Sequence, residues 1–171
     1  MAVIEPAHER DVQLAVPVLA NLSLYCNFPF RIRSGGHHKA AFSTVAEGAV
    51  LSMVRLHHVH LHSHDASTGS AVATMGPAVT VARFLDEIKI PHGYGGVIGF
   101  CTSVAEGGFA LGGGLGLQSR LHGLGADSVQ SMCIVLADGS VQQVSEIEHS
   151  ELFWALRGAG GGNFGVVTEM E

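Results

Sequence analysis

Two short stretches of the chain have the composition to grip an anion with the main chain alone. Ser34-Gly35-Gly36-His37-His38 follows an alternating run at Phe30–Arg33. Cys101-Thr102-Ser103-Val104 continues to Gly107-Gly108 and then to Gly112-Gly113-Gly114. Successive N–H groups in glycine-rich turns converge into a concave donor site that binds phosphate without a charged side chain. Two such turns suggest a diphosphate held by backbone dipoles, although glycine runs also read simply as turns. A third pattern, Gly160, Gly162 and Gly165, matches G-x-G-x-x-G. A dinucleotide fingerprint needs a strand before it and a helix after it. Here a helical stretch precedes and a strand-like one follows, so a nicotinamide site of that kind is rejected.

The histidines at 57, 58, 60, 62 and 64 offer a metal site on paper. Alternate residues of one strand stand about 7 Å apart, whereas zinc draws its nitrogens to about 2 Å, usually from separate elements. A solvent-facing strand edge is the simpler reading, and no metal is expected. Cys101 and His37 each read, taken singly, as an ordinary small core residue and a loop histidine.

The elements that must position these residues follow from periodicity. Residues 2–4 read as a strand and 9–24 as a helix, in which Pro17 removes a hydrogen bond and predicts a kink or split. Strands are expected at 30–33, 49–54, 59–61 and 71–75. A helix over 79–88 would set Val81, Leu85 and Ile88 on one face. Residues 93–125 read as loops around short apolar segments. Asp138-Gly139 between two alternating runs predicts a hairpin over 131–145. Residues 150–157 read as a helix capped by Ser150 and closed by Gly158, and 165–170 as a final strand. Mixed strands with few helices give an α+β class.

Composition bounds the function. With 171 residues, 47% hydrophobic and 14% charged, the chain can bury one core. Nine Lys and Arg against fifteen Asp and Glu, a net charge of −6, leave no basic footprint for nucleic acid. No signal peptide, basic amphipathic stretch or run long enough for a spanning helix is seen, so no membrane partner and a cytoplasmic location are expected. Three scattered cysteines form no disulfide framework.

Five stretches, in order, carry a family resemblance: IEPAHERDVQLAV, RIRSGGHH, CTSVAEGGFALGGGLG, GLGADSVQSMCIVLADGS and ELFWALRGAGGGNFGVVT. Together they resemble the FAD-binding domain of berberine-bridge-enzyme-like oxidases, of the PCMH (vanillyl-alcohol oxidase) type. The resemblance runs over nearly the whole chain. It implies two α+β subdomains, about 1–56 and 57–171, with FAD between them and no substrate domain in this length. It implies FAD contacts at Ser34, Gly35, Gly36, His37 and His38, at Cys101, Thr102, Ser103 and Val104, at Gly107, Gly108 and Gly113, and near Val166 and Val167. In the family His37 would match the tether to the flavin 8α-carbon and Cys101 the tether to ring carbon 6.

The implied activity is an FAD-linked oxidoreductase of secondary metabolism. It would pass a hydride from a small organic substrate to flavin N5, with molecular oxygen as reoxidant. A second subunit would supply the substrate domain. Two other readings stand beside it: a non-catalytic, truncated FAD-binding remnant, and a metal-binding or interaction protein using the histidine run. No residue is assigned as catalytic base. The chain departs from the family at Ala105 and Glu106, where a glycine and an apolar residue are usual. It departs also at Ser52 for an aspartate, at Pro17, and at Ala78 for a glycine. Glu106 would repel a diphosphate if it faced inward, or it faces water.

Overall fold

The computed structural model describes residues 1–65 and 67–171. Two sheets organise it. In the first, β1 (Ala2–Ile4) leads into α1 (Glu9–Cys26), and the chain returns through β2 (Phe30–Arg33) and β3 (Ala49–Ser52). All three strands are parallel in the order β1-β3-β2. The central β3, Ala-Val-Leu-Ser, is buried along its length, as a strand covered on both faces must be.

The second sheet is antiparallel. β4 (Val59–Asp65) and β5 (Ser70–Met75) form its first hairpin. A helical run follows: α2 (Val81–Phe84), a wider π-type turn at Leu85–Lys89, and α3 (Ile90–His92). Then come α4 (Glu106–Leu111), α5 (Ser119–His122), a 3₁₀ turn at Gly125–Ser128, β6 (Ser131–Val135), β7 (Val141–Ser145), α6 (Ser150–Ala159) and β8 (Val166–Met170). The strand order is β4-β5-β8-β6-β7.

Helix α1 joins the two sheets. Its buried Val12, Val16 and Leu19 pack with Ala49 and Leu51 of the parallel sheet, and in the same cluster with Val135 and Val166 of the antiparallel one. A polar link runs alongside. Thr168 Oγ1 and Cys133 Sγ both donate to Glu9 Oε2, at 2.8 and 3.1 Å. Burial and the neighbouring Glu9 carboxylate push the Cys133 thiol up to about 12, so it stays a neutral donor. Asp11, in the first turn, accepts from the N–H groups of Ala7 and His8. Those bonds hold its carboxyl below the usual range.

Several sequence expectations need correction. Pro17 does not split α1, which runs as one helix through it. A Cβ placed on Gly139 would lie 2.8 Å from both the Gln13 carbonyl oxygen and Pro17 Cγ. The hairpin turn therefore packs on the carbonyl that proline leaves without its helical partner. The 93–125 region is mostly loop as read, with the short helices α4 and α5 set into it. The 79–88 helix presents Val81, Phe84 and Ile88 as its buried face, not Leu85, because the π-type turn shifts the register. His149 in the left-handed conformation, not Ser150, starts α6, and no side chain caps it. Gly158, at φ 141, breaks the regular helix as expected. The hairpin over 131–145 forms as read.

His60, His62 and His64 of the histidine run lie on β4, an edge strand, and His57 and His58 just precede it. His58 Nε2 pairs with Glu169 at 3.1 Å, His60 stacks on His58, and His62 bonds the Thr74 hydroxyl. Among the described residues no group of three or more His, Cys, Asp or Glu is gathered to hold a metal. No helix among them is long and apolar enough to cross a membrane.

Candidate functional site

The two glycine-bearing turns meet at the Gly76-Pro77 corner. The Pro77 carbonyl accepts both from Ser34 Oγ and from the Gly107 N–H, the latter at 3.0 Å. Gly107 must be glycine, because a Cβ there would lie 2.6 Å from that same oxygen. The second turn is further pinned to residues 79–82. Val81 N–H donates to Val104 O, Ala82 N–H to Thr102 O, and Glu106 N–H to Val79 O. The first turn lies directly against the second: a Cβ on Gly35 would stand 2.8 Å from Ala105 N and 2.9 Å from its methyl. Ala105 thus occupies the space a side chain at 35 would need.

Between these turns lies a groove of ≈ 590 Å³, bordered by Ser34, Gly35, Gly36, His38, Ser52, Ala78, Thr80 and Ser103. Among the described residues the N–H groups of Gly35, Gly36 and His37 donate to no protein acceptor, and the Ser103 N–H faces the Cys101 sulfur. All four residues are exposed. Arg33, which also borders the groove, donates from Nη2 to the buried Ser52 hydroxyl at 3.3 Å. Ser52 therefore anchors the guanidinium beside the free amides. Arg33 was missed in the sequence reading, although its place at the end of the strand entering the loop was the available signal. Unpaired donors and the Arg33 cation fit a diphosphate, with the Glu5 carboxylate at the same border opposing it.

Side chains from both turns converge on one hydroxyl. His37 Nε2 lies 2.9 Å from Ser103 Oγ, and Cys101 Sγ lies 3.4 Å from the same oxygen. Hydrogen bonds from the Ser103 hydroxyl, then from the Ser103 and Val104 N–H groups, hold the Cys101 thiol below its usual range. An exposed thiol whose ionisation is eased in this way is more reactive than a buried, unassisted one.

Other expected contacts lie elsewhere. Gly108 is exposed on α4 with nothing near its Cα face. Gly113 sits past the far end of α4, where its carbonyl accepts from Ala126 N–H. Val166 and Val167 are buried in two different clusters and do not border the groove. Glu106 faces neither the groove nor water. It is 5% exposed and lines a second cavity.

Comparison with known proteins agrees with this geometry. Residues 1–145 match the model of an FAD binding domain. The chain belongs to that family. It is 35% identical over 159 residues to the FAD-linked oxidoreductase ptmO of Penicillium ochrochloron, covering 93% of this chain and 33% of that protein. It is 37% identical over 168 residues to the monolignol oxidoreductase AtBBE-like 13 of Arabidopsis thaliana, covering 96% and 30%. The solved glucooligosaccharide oxidase of Acremonium strictum, described with a 6-S-cysteinyl, 8α-N1-histidyl FAD, superposes with a TM-score of 0.83. It is 30% identical and covered over 98% of this chain and 34% of that one. The FAD-binding chain thus spans about a third of the length of the curated relatives it matches. The expected α+β fold, FAD cofactor and berberine-bridge-like kinship stand.

Proposed function

We propose that this chain holds FAD for an oxidoreductase that oxidises a small organic substrate in secondary metabolism, with molecular oxygen as the reoxidant. The observation that carries the reading is the Ser103 hydroxyl, which joins His37 of the first turn to Cys101 of the second. When bound, FAD supplies a hydride acceptor and its reoxidation. The chain's own residues bind and orient. Amides of Gly35, Gly36 and His37 hold the diphosphate, Arg33 neutralises part of its charge, and the ends of β2 and β3 with Ala78, Thr80 and Ser103 border the groove. The subdomain division near residue 56 belongs to this reading.

His37 and Cys101 are the covalent attachment points in this proposal. If Ser103 donates to the Cys101 sulfur, it accepts from His37 Nε2–H. That leaves the lone pair on Nδ1 as the imidazole nucleophile, beside a thiol whose ionisation is eased. Acid-precipitated protein therefore keeps its flavin in the pellet. His37→Ala and Cys101→Ser each retain one link, and the double variant releases all flavin to the supernatant. Complete release from the unmodified chain would refute attachment. The oxidoreductase reading is tested by anaerobic bleaching of the bound flavin with a panel of oligosaccharides and aryl alcohols. A flavin that none of them reduces favours a non-catalytic FAD carrier.

A further inference from the structure

Helix α1 is apolar on two opposite faces. Val12, Val16 and Leu19 are buried in the core that joins the sheets. On the other side Leu14, Val18 and Tyr25 are 66, 58 and 77% exposed. With the exposed Asp11 and Asn21 they form a series whose steps alternate between three and four residues. That is the seam spacing by which one helix packs along another. The β6–β7 turn, which packs on Gln13 and Pro17, borders the seam without covering it. Single exposed apolar side chains are ordinary, but a stripe along about four turns of one helix marks an interaction surface.

The order of residues along the seam says what fits it. Let two copies of α1 meet antiparallel about a twofold axis at the level of residue 16. Leu14 then faces the partner's Val18, and Val18 faces the partner's Leu14. The next layer out, at each end, sets Asp11 against the partner's Asn21. Asp11 uses Oδ2 for the Ala7 and His8 N–H groups, which leaves Oδ1 to accept from the amide. The registers one heptad to either side set Val18 against the partner's Asn21, or Leu14 against the partner's Asp11. Each strands a polar group on an apolar one.

Charge agrees with the same register. Arg10 flanks the seam on the side where the partner's Leu24 stands. Its stem covers that leucine, which is 73% exposed in the single chain. Its guanidinium meets the C-terminal carbonyls of the partner's helix, whose last turn carries no basic residue of its own.

We propose that this seam pairs with the same seam of a second copy, antiparallel, in a weak homodimer. One helix pair covers less than the roughly 1,200 Å² at which standard interfaces begin. Asp11, Leu14, Val18 and Asn21 do not border the flavin groove, so flavin content is an independent check on folding.

Sedimentation equilibrium of the FAD-loaded chain, run up to about 0.5 mM, is expected to show a reversible monomer–dimer equilibrium. Val18→Glu puts a carboxylate into both central layers and weakens the dimer about tenfold or more. Asn21→Lys sets an ammonium against the partner's Asp11 at each end. It tightens the dimer about threefold at low salt, a gain that about 1 M salt removes. Both positions are exposed, so circular dichroism and flavin content stay as in wild type. A wild-type chain that remains monomeric overturns the proposal, including the case in which a different protein covers the seam. A dimer that Val18→Glu leaves intact overturns it too, as does one that Asn21→Lys weakens or leaves unchanged. If Val18→Glu does not fold, Asn21→Lys decides.

Discussion

At the scale of single residues, Glu106 and Gly35 make the sharpest predictions. The folded chain holds the Glu106 proton up to about pH 7, while an exposed glutamate in the unfolded chain loses it near 4.5. Between those values the native state binds more protons, so stability falls as pH rises. The full benefit is present below about pH 4.5 and is gone above 7, a change of about 3 kcal/mol. Denaturant titrations at pH 5 and pH 8 should show that decline in wild type and a much flatter response in Glu106→Gln. Gly35 has no positive φ, so its requirement is steric. Gly35→Ala should cost about 1–3 kcal/mol by overpacking and lower the visible flavin absorbance. Ala105→Gly in the same chain should restore them only in part, because the Ala105 N at 2.8 Å remains; a Gly35→Ala chain of unchanged stability and flavin content would show that the two turns do not press together.

The residue scale also separates what was readable from what was not. Ser34 to His38 and Cys101 to Val104 were legible as amide-rich turns because glycine and small polar residues fix local backbone behaviour. The Ser103 bridge was not. It joins residues 66 positions apart, and no local rule places one hydroxyl between an imidazole and a thiol. The direction of Glu106 was equally hidden. Ser103, three residues earlier, borders the groove, while Glu106 itself is buried away from it.

At the scale of elements, the hairpin β6–β7 and helix α4 form an instructive pair. Asp138-Gly139 between alternating runs announced the hairpin, and Gly139 adopts the left-handed φ of 86 that the turn needs. Helix α4, Glu-Gly-Gly-Phe-Ala-Leu, reads as a poor helix because glycine is a weak former. It exists because Gly107 docks on Pro77 and Ala110 packs into the antiparallel core. Pro17 shows the same override in reverse, since the unpartnered Gln13 carbonyl meets the hairpin turn. Gly139→Ala adds strain at a positive φ and a collision with that carbonyl and Pro17. It should destabilise by more than about 1 kcal/mol, read as a lower melting temperature with α1 content retained in circular dichroism.

At the scale of the whole molecule, one apolar cluster spans both sheets through α1. Leu51 of β3 and Val166 of β8 belong to it together. Arg33 of β2 and Ser52 of β3 border the groove, and β3 lies in that cluster, so core integrity and flavin retention are coupled. Leu51→Ala, at a fully buried position, should cost about 2–5 kcal/mol. It should also shift unfolding of both sheets in a single transition, with flavin loss at the same midpoint. Separate transitions for flavin release and for unfolding would show that the sheets are not coupled in this way.

The chain's order of residues alone determined the α+β class, most strands, the hairpin and the two amide-rich turns. Each of these depends on dihedral preferences and apolar periods within a few neighbouring positions. Tertiary packing decided that the two turns share the Pro77 carbonyl, that Ser103 stands between His37 and Cys101, that Pro17 is tolerated, and that Glu106 points inward. Those outcomes require contacts of about 3 Å between residues remote along the chain, and only a closed core brings such residues that near.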